Sequence, residues 1–347
     1  MSENNILTTK KQVRKAGENI KNNIADDNDY KTIAQWRRIH IPIMISMVNA
    51  INKKLNDNNL KAVLIARRLK RLSSIELKLK RFESMQLDRM QDIAGVRIVF
   101  ENLEQVMGFQ QLMEQSNSWE SWNLKLLNKK TKDYIQNPKD DGYRSIHQIF
   151  EYQDDSKRCL ELQIRTQLQH YWATAVEVLG MKTQAKIKQG EGEQHYKVFL
   201  KLCSALFCIQ EDTPIVEEYK NLDKKEICKK IRELNEEHNI LEQLSGLVVS
   251  TKNIERQAGS KHYYFVVLLN LKRRTLIIRG YKKNNFRLAE KYYNSVEQQS
   301  KRNGNTDVVL ISLDKVRLLQ KAYPNYYLDS SSFIRELSKN LEVLEDE

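Results

Sequence analysis

The sequence predicts an α+β protein, and three observations carry that prediction. Three β-branched runs, DIAGVRIVF (92–100), SIHQIFEY (145–152) and RCLELQIRT (158–166), have the length and composition of buried strands. Segments with apolar residues at helical spacing surround them. Beyond Gly246 the mixture recurs on a smaller scale: YYFVVLLNL and RTLIIRGY read as paired strands, FRLAEKYYNSVEQQSKRNG as a helix and DVVLISL as another strand.

The N-terminal residues 1–31 are polar and rich in Asn and Asp, with Lys10, Lys11, Arg14 and Lys15 spaced along one helical face. From Ile33 to Leu55 the apolar spacing is helical, and Pro42 marks a break or a start. A second helix is expected over 60–84. Asp92 opens the first strand, and EQVMGFQQLMEQ after it is helical. Residues 117–131 have no clear pattern, and DYIQNPKDDGYRS is a loop. The turn DDSK between the second and third strands predicts a hairpin. From Leu168 to about Leu244 the chain reads as helical, with KQGEGEQ (188–194) as an interruption. A final polar helix, SSSFIRELSKNLEVLEDE, starts at serine N-cap candidates. Two domains follow, 1–245 and 246–347.

At 347 residues the chain is long enough for two or three domains, and 40% hydrophobic with 30% charged residues is the composition of a soluble globular protein. No apolar run approaches the ~20 residues of a spanning helix, and MSENNILTTKKQ has no signal-peptide core, so a cytoplasmic protein is expected. Cys159, Cys203, Cys208 and Cys228 stand singly without a CxxC pair, as reduced core thiols do. The net charge of +13 is uneven: residues 1–100 carry +10, residues 250–347 carry +7, and the middle is mildly acidic. Two basic ends favour nucleotide or nucleic-acid partners over a membrane surface, although a solvated lysine-rich surface gives the same excess.

Within ARRLKRLSSIELKLKR (66–81) seven of sixteen residues are basic, and on a helix Arg67, Arg71, Ser74, Lys78 and Arg81 would form one face suited to a triphosphate or simply to solvent. Asp92 and Glu161 each place a carboxylate on a strand, and alternation puts Glu161, Gln163 and Arg165 on one face. If those strands are neighbours, the two carboxylates form a Mg²⁺ site; the alternative is structural pairing with Arg97 or Arg165. In PKDDGYRSIH, Gly142 permits the turn, Tyr143 offers a face for base stacking, and Lys139, Arg144 and His147 supply groups for phosphate or ribose; a tight turn with a packed tyrosine is the plainer reading. There is no GxxxxGK[ST] loop, which excludes a P-loop NTPase.

In order, RRLKRLSSIELKLKR, DIAGVRIVF, KDYIQNPKDDGYRSIH, LELQIRT and QHYWA resemble the synthetase domain of the RelA/SpoT family, over about residues 60–182. The resemblance implies a mixed sheet flanked by helices of nucleotidyltransferase-like type, and transfer of the β,γ-pyrophosphate of ATP to a 3′-hydroxyl. It implies that Arg68 stacks on the donor adenine and that Lys70, Lys78, Arg81 and Arg97 serve the ATP phosphates. Asp92 and Glu161 would bind Mg²⁺, Glu161 also activating the hydroxyl. Tyr143 would stack on the acceptor base, within a shell of Lys139, Arg144, His147, Gln163 and Arg165. One departure is visible: where many members have a Glu-His pair after QHYWA, this chain has Val176 and Glu177. Without a preceding hydrolase domain or a long regulatory tail, it resembles the short, synthetase-only members.

Two further resemblances refine the expectation. QVRKAGENI and QWRRIHIPI resemble the N-terminal region of toxic small alarmone synthetases, some of which pyrophosphorylate the 3′-CCA end of tRNA. Lys10, Lys11, Arg14 and Lys15 would then contact the acceptor stem. The unit after Gly246 and AYPNYY resemble CapRel, a fused toxin–antitoxin branch of phage defence. That branch implies a zinc-finger-like C-terminal domain lacking zinc, restraint of the toxin in cis, release by a phage capsid protein, and Tyr323 and Tyr326 as regulatory anchors. Partners implied are ATP, tRNA and the phage protein, not DNA or a membrane. The alternatives are an alarmone synthetase with a free guanine or adenine nucleotide as acceptor, and a catalytically silent RNA-binding or phage-sensing module.

Overall fold

Thr9 and Asp26 each accept backbone N–H groups of the turn that follows, and Gln12 and Asp29 reach back to complete capping boxes, so helices start at α1 (Lys10–Lys21) and α2 (Asp27–Arg38). Pro42 lies in the first turn of α3 (Ile41–Asp57) and separates it from α2, as the proline predicts. The computed structural model describes residues 8–115, 117–183, 193–245, 262–273, 275–303, 306–312, 319–327 and 329–342. The boundary placed at Gly246 and most of KQGEGEQ lie outside the described residues.

The single helix expected over 60–84 is corrected. Residues Leu64–Leu69 form strand β1, and only Leu72–Arg81 form a helix, α4. β1 pairs antiparallel on one side with β2 (Ala94–Phe100) and on the other with β9 (Thr306–Ser312). Ladder hydrogen bonds on both edges override the helical spacing of the arginines, because propensity is a weak prior against tertiary pairing. The proposed cationic stripe is thereby split: Arg67 lies on a strand, Arg71 is the extended residue before α4, and Lys78 and Arg81 are helical.

Helix α5 (Leu103–Glu114) follows β2, and short strands β3 (Leu124–Leu126) and β4 (Lys132–Asp133) pair with β5 (Ile146–Tyr152). β5 and β6 (Cys159–Thr166) make the predicted antiparallel hairpin, and β6 runs parallel to β2. Helices α6 (Gln167–Thr183), α7 (Gln194–Gln210), α8 (Lys224–His238) and α9 (Ile240–Ser245) come next. Then β7 (Tyr264–Asn270), β8 (Thr275–Tyr281), α10 (Phe286–Asn303), β9, α11 (Leu319–Ala322), a 3-10 turn (Pro324–Tyr327) and α12 (Ser331–Glu342) complete the described chain.

Among the described residues the result is one mixed sheet of nine strands in the order β3-β5-β6-β2-β1-β9-β7-β8, with β4 beside β5. The C-terminal strands extend the same sheet through the β1–β9 pairing. One face packs on α3 and α5 through residues such as Ile43, Met47, Val96, Ile98, Phe109, Leu162 and Ile164. The other packs on α6 and α7 and, toward β7, on the C-terminal residues Tyr323, Tyr326 and Phe333. Helices α1, α2 and α4 share a third core around Val13, Trp36, Ile75 and Leu79. Among the described residues no helix is long and apolar enough to cross a membrane.

Candidate active site

Strand register builds the site. Across the central strands Arg68, Gly95, Glu161 and Ile149 lie on one rung, and Ala66, Arg97, Gln163 and His147 on the next. The period-2 alternation sends the intervening Val96, Ile98, Leu162 and Ile164 into the α3/α5 core, so the polar members of both rungs emerge on the opposite face. There Ala66, Arg68, Lys70, Asp92, Gly95, Arg97, Glu161, Gln163 and Tyr323 line one cavity of about 110 Å³.

Asp92, two residues before β2, accepts hydrogen bonds from Lys70 Nζ at 2.8 Å and Lys78 Nζ at 3.0 Å. Burial works against its charge, but the two lysines outweigh it and hold the pKa below the ordinary carboxylate value. Lys70 is itself pushed down by burial despite Asp92. Glu161 accepts from His147 Nδ1 at 3.0 Å and from Gln163 Nε2 at 2.7 Å. Here too burial opposes ionisation and is overcome, by His147 above all, leaving a pKa of about 2. His147 loses by burial but gains more from Tyr143 and Glu161, which raise its pKa to about 9. It is therefore an imidazolium, both of whose N–H groups donate: one to Glu161, the other to Tyr143 Oη at 2.9 Å. Tyr143 is lowered to about 8, because His147 and Arg165 outweigh the cost of burial.

Gly142 aims Tyr143. Its φ of +88° is accessible to glycine, and a Cβ there would sit 2.9 Å from Ser204 Cβ. Ser204 Oγ donates to the Gly142 carbonyl at 2.6 Å and ties the turn to α7. Beside the half-buried Tyr143, Lys139 Nζ lies 5.0 Å from the ring centroid and 4.4 Å from that of Tyr134. Tyr134 packs edge-on against both His147 and Tyr143. Sequence reasoning misses Tyr134, although it stands in the loop DYIQNPKDDGYRS.

Arg97 on the second rung and Arg165, two residues beyond Gln163 on β6, have pKa values that burial lowers, that of Arg165 to about 9 with Arg97 adding to the effect. Arg165 donates to His170 Nδ1 at 2.8 Å. Burial, Arg165 and Arg97 drive the His170 pKa well down, so the ring is neutral and its Nε2–H donates to the Lys321 carbonyl at 3.2 Å. Half-buried Glu177 favours the charged forms of Arg71, Arg97 and Arg165, a smaller effect than burial. No local sequence signal reveals its influence on this arginine group.

Of the expected residues, Arg68, Lys70, Asp92, Arg97, Glu161 and Gln163 line the cavity, Lys78 and His147 bond to residues that do, Lys139, Tyr143 and Arg165 do not line it, and Arg144 and Arg81 lie apart from it. Arg144 is corrected: it is 2% exposed, and its guanidinium donates to Glu211 at 2.6 Å and Thr213 at 3.2 Å. Alternation beyond the turn sends Tyr143 and Arg144 to opposite sides. Arg81 is exposed at the end of α4, its guanidinium 5.5 Å from the Phe82 ring centre. On α1, Lys10, Lys11 and Lys15 are exposed, but Arg14 pairs with Asp88 at 2.8 Å. Tyr323 is 3% exposed and donates to the Arg67 carbonyl at 3.0 Å, while Tyr326 accepts from Arg71 at 3.2 Å.

The donor set fits a hard divalent cation. Asp92 and Glu161 share the cavity, both held as carboxylates, and Mg²⁺ is commonly bound by one or two carboxylates plus substrate phosphates. Among the described residues no cluster of three or more His, Cys, Asp or Glu offers a metal site closed by protein alone.

The family described as "Region found in RelA / SpoT proteins" matches residues 67–191. The GTP pyrophosphokinase YwaC of Bacillus subtilis is 34% identical over 92 residues, 25% of this chain and 40% of that protein. A probable GTP diphosphokinase of rice, RSH3, chloroplastic, is 30% identical over 131 residues, 38% of this chain and 17% of that protein. This chain thus covers less than two thirds of either relative. The crystal structure of the small alarmone synthetase 1 from Bacillus subtilis bound to its product pppGpp is similar at 23% identity and a TM-score of 0.41, covering 51% of this chain and 93% of that one. That match begins within β1 and runs through α6, over the strands and helices that build the cavity, so this stretch is similar to the RelA/SpoT region.

Proposed function

We propose that this protein is an ATP-dependent pyrophosphokinase that transfers the β,γ-pyrophosphate of ATP to the 3′-hydroxyl of the tRNA CCA end. In this reading it blocks translation in the cytoplasm, is held in check by residues 246–347, and is released by a phage protein. The observation that carries the reaction is the single cavity in which two ionised carboxylates, Asp92 and Glu161, meet Arg68, Lys70 and Arg97, with Lys78 on Asp92 and Tyr143 hydrogen-bonded to His147 beside it. The names of the relatives support the reaction class.

The acceptor oxygen attacks the β-phosphorus; an O–P bond forms, the bond to the α,β-bridging oxygen breaks, and AMP leaves with the electron pair. Such transfer needs positioning and charge neutralisation more than a strong base. That suits Glu161, which at a pKa of about 2 orients the hydroxyl by accepting its hydrogen bond and takes the proton late. Lys70, Lys78 and Arg97 neutralise the donor phosphates, and Arg68 carries the adenine. Asp92 and Glu161 would hold Mg²⁺, which supplies further neutralisation of phosphate charge. Tyr143 stacks on the terminal base, with Lys139 and Gln163 around it. Exposed Lys10, Lys11 and Lys15 favour an acceptor that extends beyond one nucleotide, because α1 packs on α4, whose Lys78 reaches Asp92.

Restraint is supported by Tyr323. It lines the cavity, whose 110 Å³ falls short of the roughly 300–1,000 Å³ that ligand pockets provide. Tyr326, on Arg71, anchors the same segment.

A second reading, with free GTP or GDP as acceptor, is favoured by the names of the relatives. Full-length protein and its Tyr323→Ala variant, each incubated with γ-labelled ATP and either bulk tRNA, GTP, GDP or ADP, separate the readings. Label on tRNA supports the first and label on a mononucleotide the second. Label on nothing, even with Tyr323→Ala, rejects both.

A further inference from the structure

Helix α4 carries Lys78 to Asp92, yet it provides little for its own start. The cap residue Arg71 makes no side-chain hydrogen bond to the first turn, and that turn holds no acidic residue. Ten residues make a marginal helix, and its leading N–H groups need acceptors. One acceptor comes from α10: Glu297 Oε1 accepts the Leu72 N–H at 2.8 Å. A carboxylate there also meets the positive end of the helix dipole.

That carboxylate is firmly held. Arg37 of α2 donates to Glu297 Oε2 at 3.1 Å and to Tyr293 Oη at 2.8 Å, and the tyrosine hydroxyl donates to Glu297 in turn. Arg37, Tyr293 and Glu297 are 4%, 2% and 6% exposed. A buried ion pair needs such supporting hydrogen bonds to persist. On the other side of the junction between β1 and α4, Arg71 is held by Asp307 of β9 and by Tyr326. The junction itself contains Lys70, and α4 beyond it carries Lys78, the two donors to Asp92.

We infer that Glu297 is a positioning residue: it caps α4 from the C-terminal unit and thereby keeps Lys78 in place beside Lys70 for the donor phosphates. This rests on the reading that the cavity takes ATP. The C-terminal residues then complete the site as well as cover it, and their displacement by a partner must leave α10 seated while Tyr323 withdraws.

The test compares two double variants in a Tyr323→Ala background. Arg37→Met with Glu297→Leu removes both charges and the acceptor. Arg37→Met with Glu297→Gln removes the charges and keeps an acceptor for Leu72. Neither leaves a buried charge alone. The first is expected to speed amide exchange at Leu72–Ile75 and to weaken binding of α,β-methylene-ATP, each by about tenfold, the scale of one missing helix cap. The second is expected to stay near the background protein in both. Equal exchange at α4 in the two variants, or equal affinity for the analogue, overturns the inference; an analogue that binds neither variant nor the background protein overturns it too. If affinity and exchange separate the variants while γ-label reaches no acceptor, the cap stands and the proposed reaction falls.

Discussion

Three side chains in a row, Glu161, His147 and Tyr143, link the carboxylate of one strand to the aromatic ring that follows the Gly142 turn. A histidine whose folded pKa is raised contributes stability that is complete below its ordinary 6.5 and lost as pH rises through about 9. A glutamate held at about 2 contributes stability present above its ordinary 4.5 and lost as pH falls toward 2. Tyr143, lowered to about 8, runs against the histidine and adds stability as it ionises above that pH. The excess stability of the wild type over His147→Gln is therefore expected to be greatest near pH 5–6.5 and to fall by roughly 1–3 kcal/mol by pH 9.5, at about 1.4 kcal/mol per pKa unit. Urea unfolding at the two pH values checks this, and a constant difference would mean that His147 is neutral. Glu161→Gln is expected to abolish label transfer while the chain stays folded. Gly142→Ala forces a Cβ against Ser204 at positive φ, at a strain of about 1–2 kcal/mol before the clash, and is expected to lower transfer by displacing Tyr143 while thermal unfolding shifts only a few degrees.

Among the elements, α1 and the β1–α4 segment differ in how much their local sequence says. Helix α1 has its capping box, an apolar face of Val13, Ala16 and Ile20, and exposed lysines on the other side. If those lysines meet RNA, Lys10→Ala, Lys11→Ala and Lys15→Ala in one protein should weaken tRNA binding and make its log–log salt dependence shallower by about one for each phosphate no longer neutralised. Filter binding over a salt series measures both, and an unchanged slope would place the RNA elsewhere. Arg14, engaged by Asp88, is expected to contribute to the fold of this helix and little to the slope. In β1–α4 the seven basic residues disperse to different tasks: Arg67 to Ser312 and the Tyr263 ring, Arg71 to Asp307, and Lys70 and Lys78 to Asp92.

For the molecule as a whole, β1 is an interior strand because β9 covers its outer edge. Deleting residues 246–347 would expose that edge together with the apolar surface that Phe265, Val267 and Ile311 bury. The truncated chain is expected to aggregate or to melt well below the full protein, in contrast to Tyr323→Ala, which removes one wall of the cavity and leaves the sheet intact. Size-exclusion chromatography and thermal melts of the two distinguish these outcomes; a monomeric truncation with an unchanged melting temperature would show that the two parts fold independently.

The sequence by itself determined what local pattern can encode: the β5–β6 hairpin, the capped starts of α1 and α2, and the alternation that gathers Glu161, Gln163 and Arg165 on one face. Only the resemblance of their motifs to a known family links Arg68, Lys70 and Arg97 to Asp92 and Glu161 before the fold is known. Only the tertiary structure decided that residues 64–69 form a strand, since one of its two neighbouring strands, β9, is supplied by residues some 245 positions away. It also decided that Arg144 belongs to a buried ion pair with Glu211, that Tyr323 is a wall of the cavity, and that Glu297 begins a helix in another part of the chain. The reason is range: periodicity and caps act over a few residues, whereas pairing partners and counter-ions are chosen by which surfaces the folded chain brings into contact.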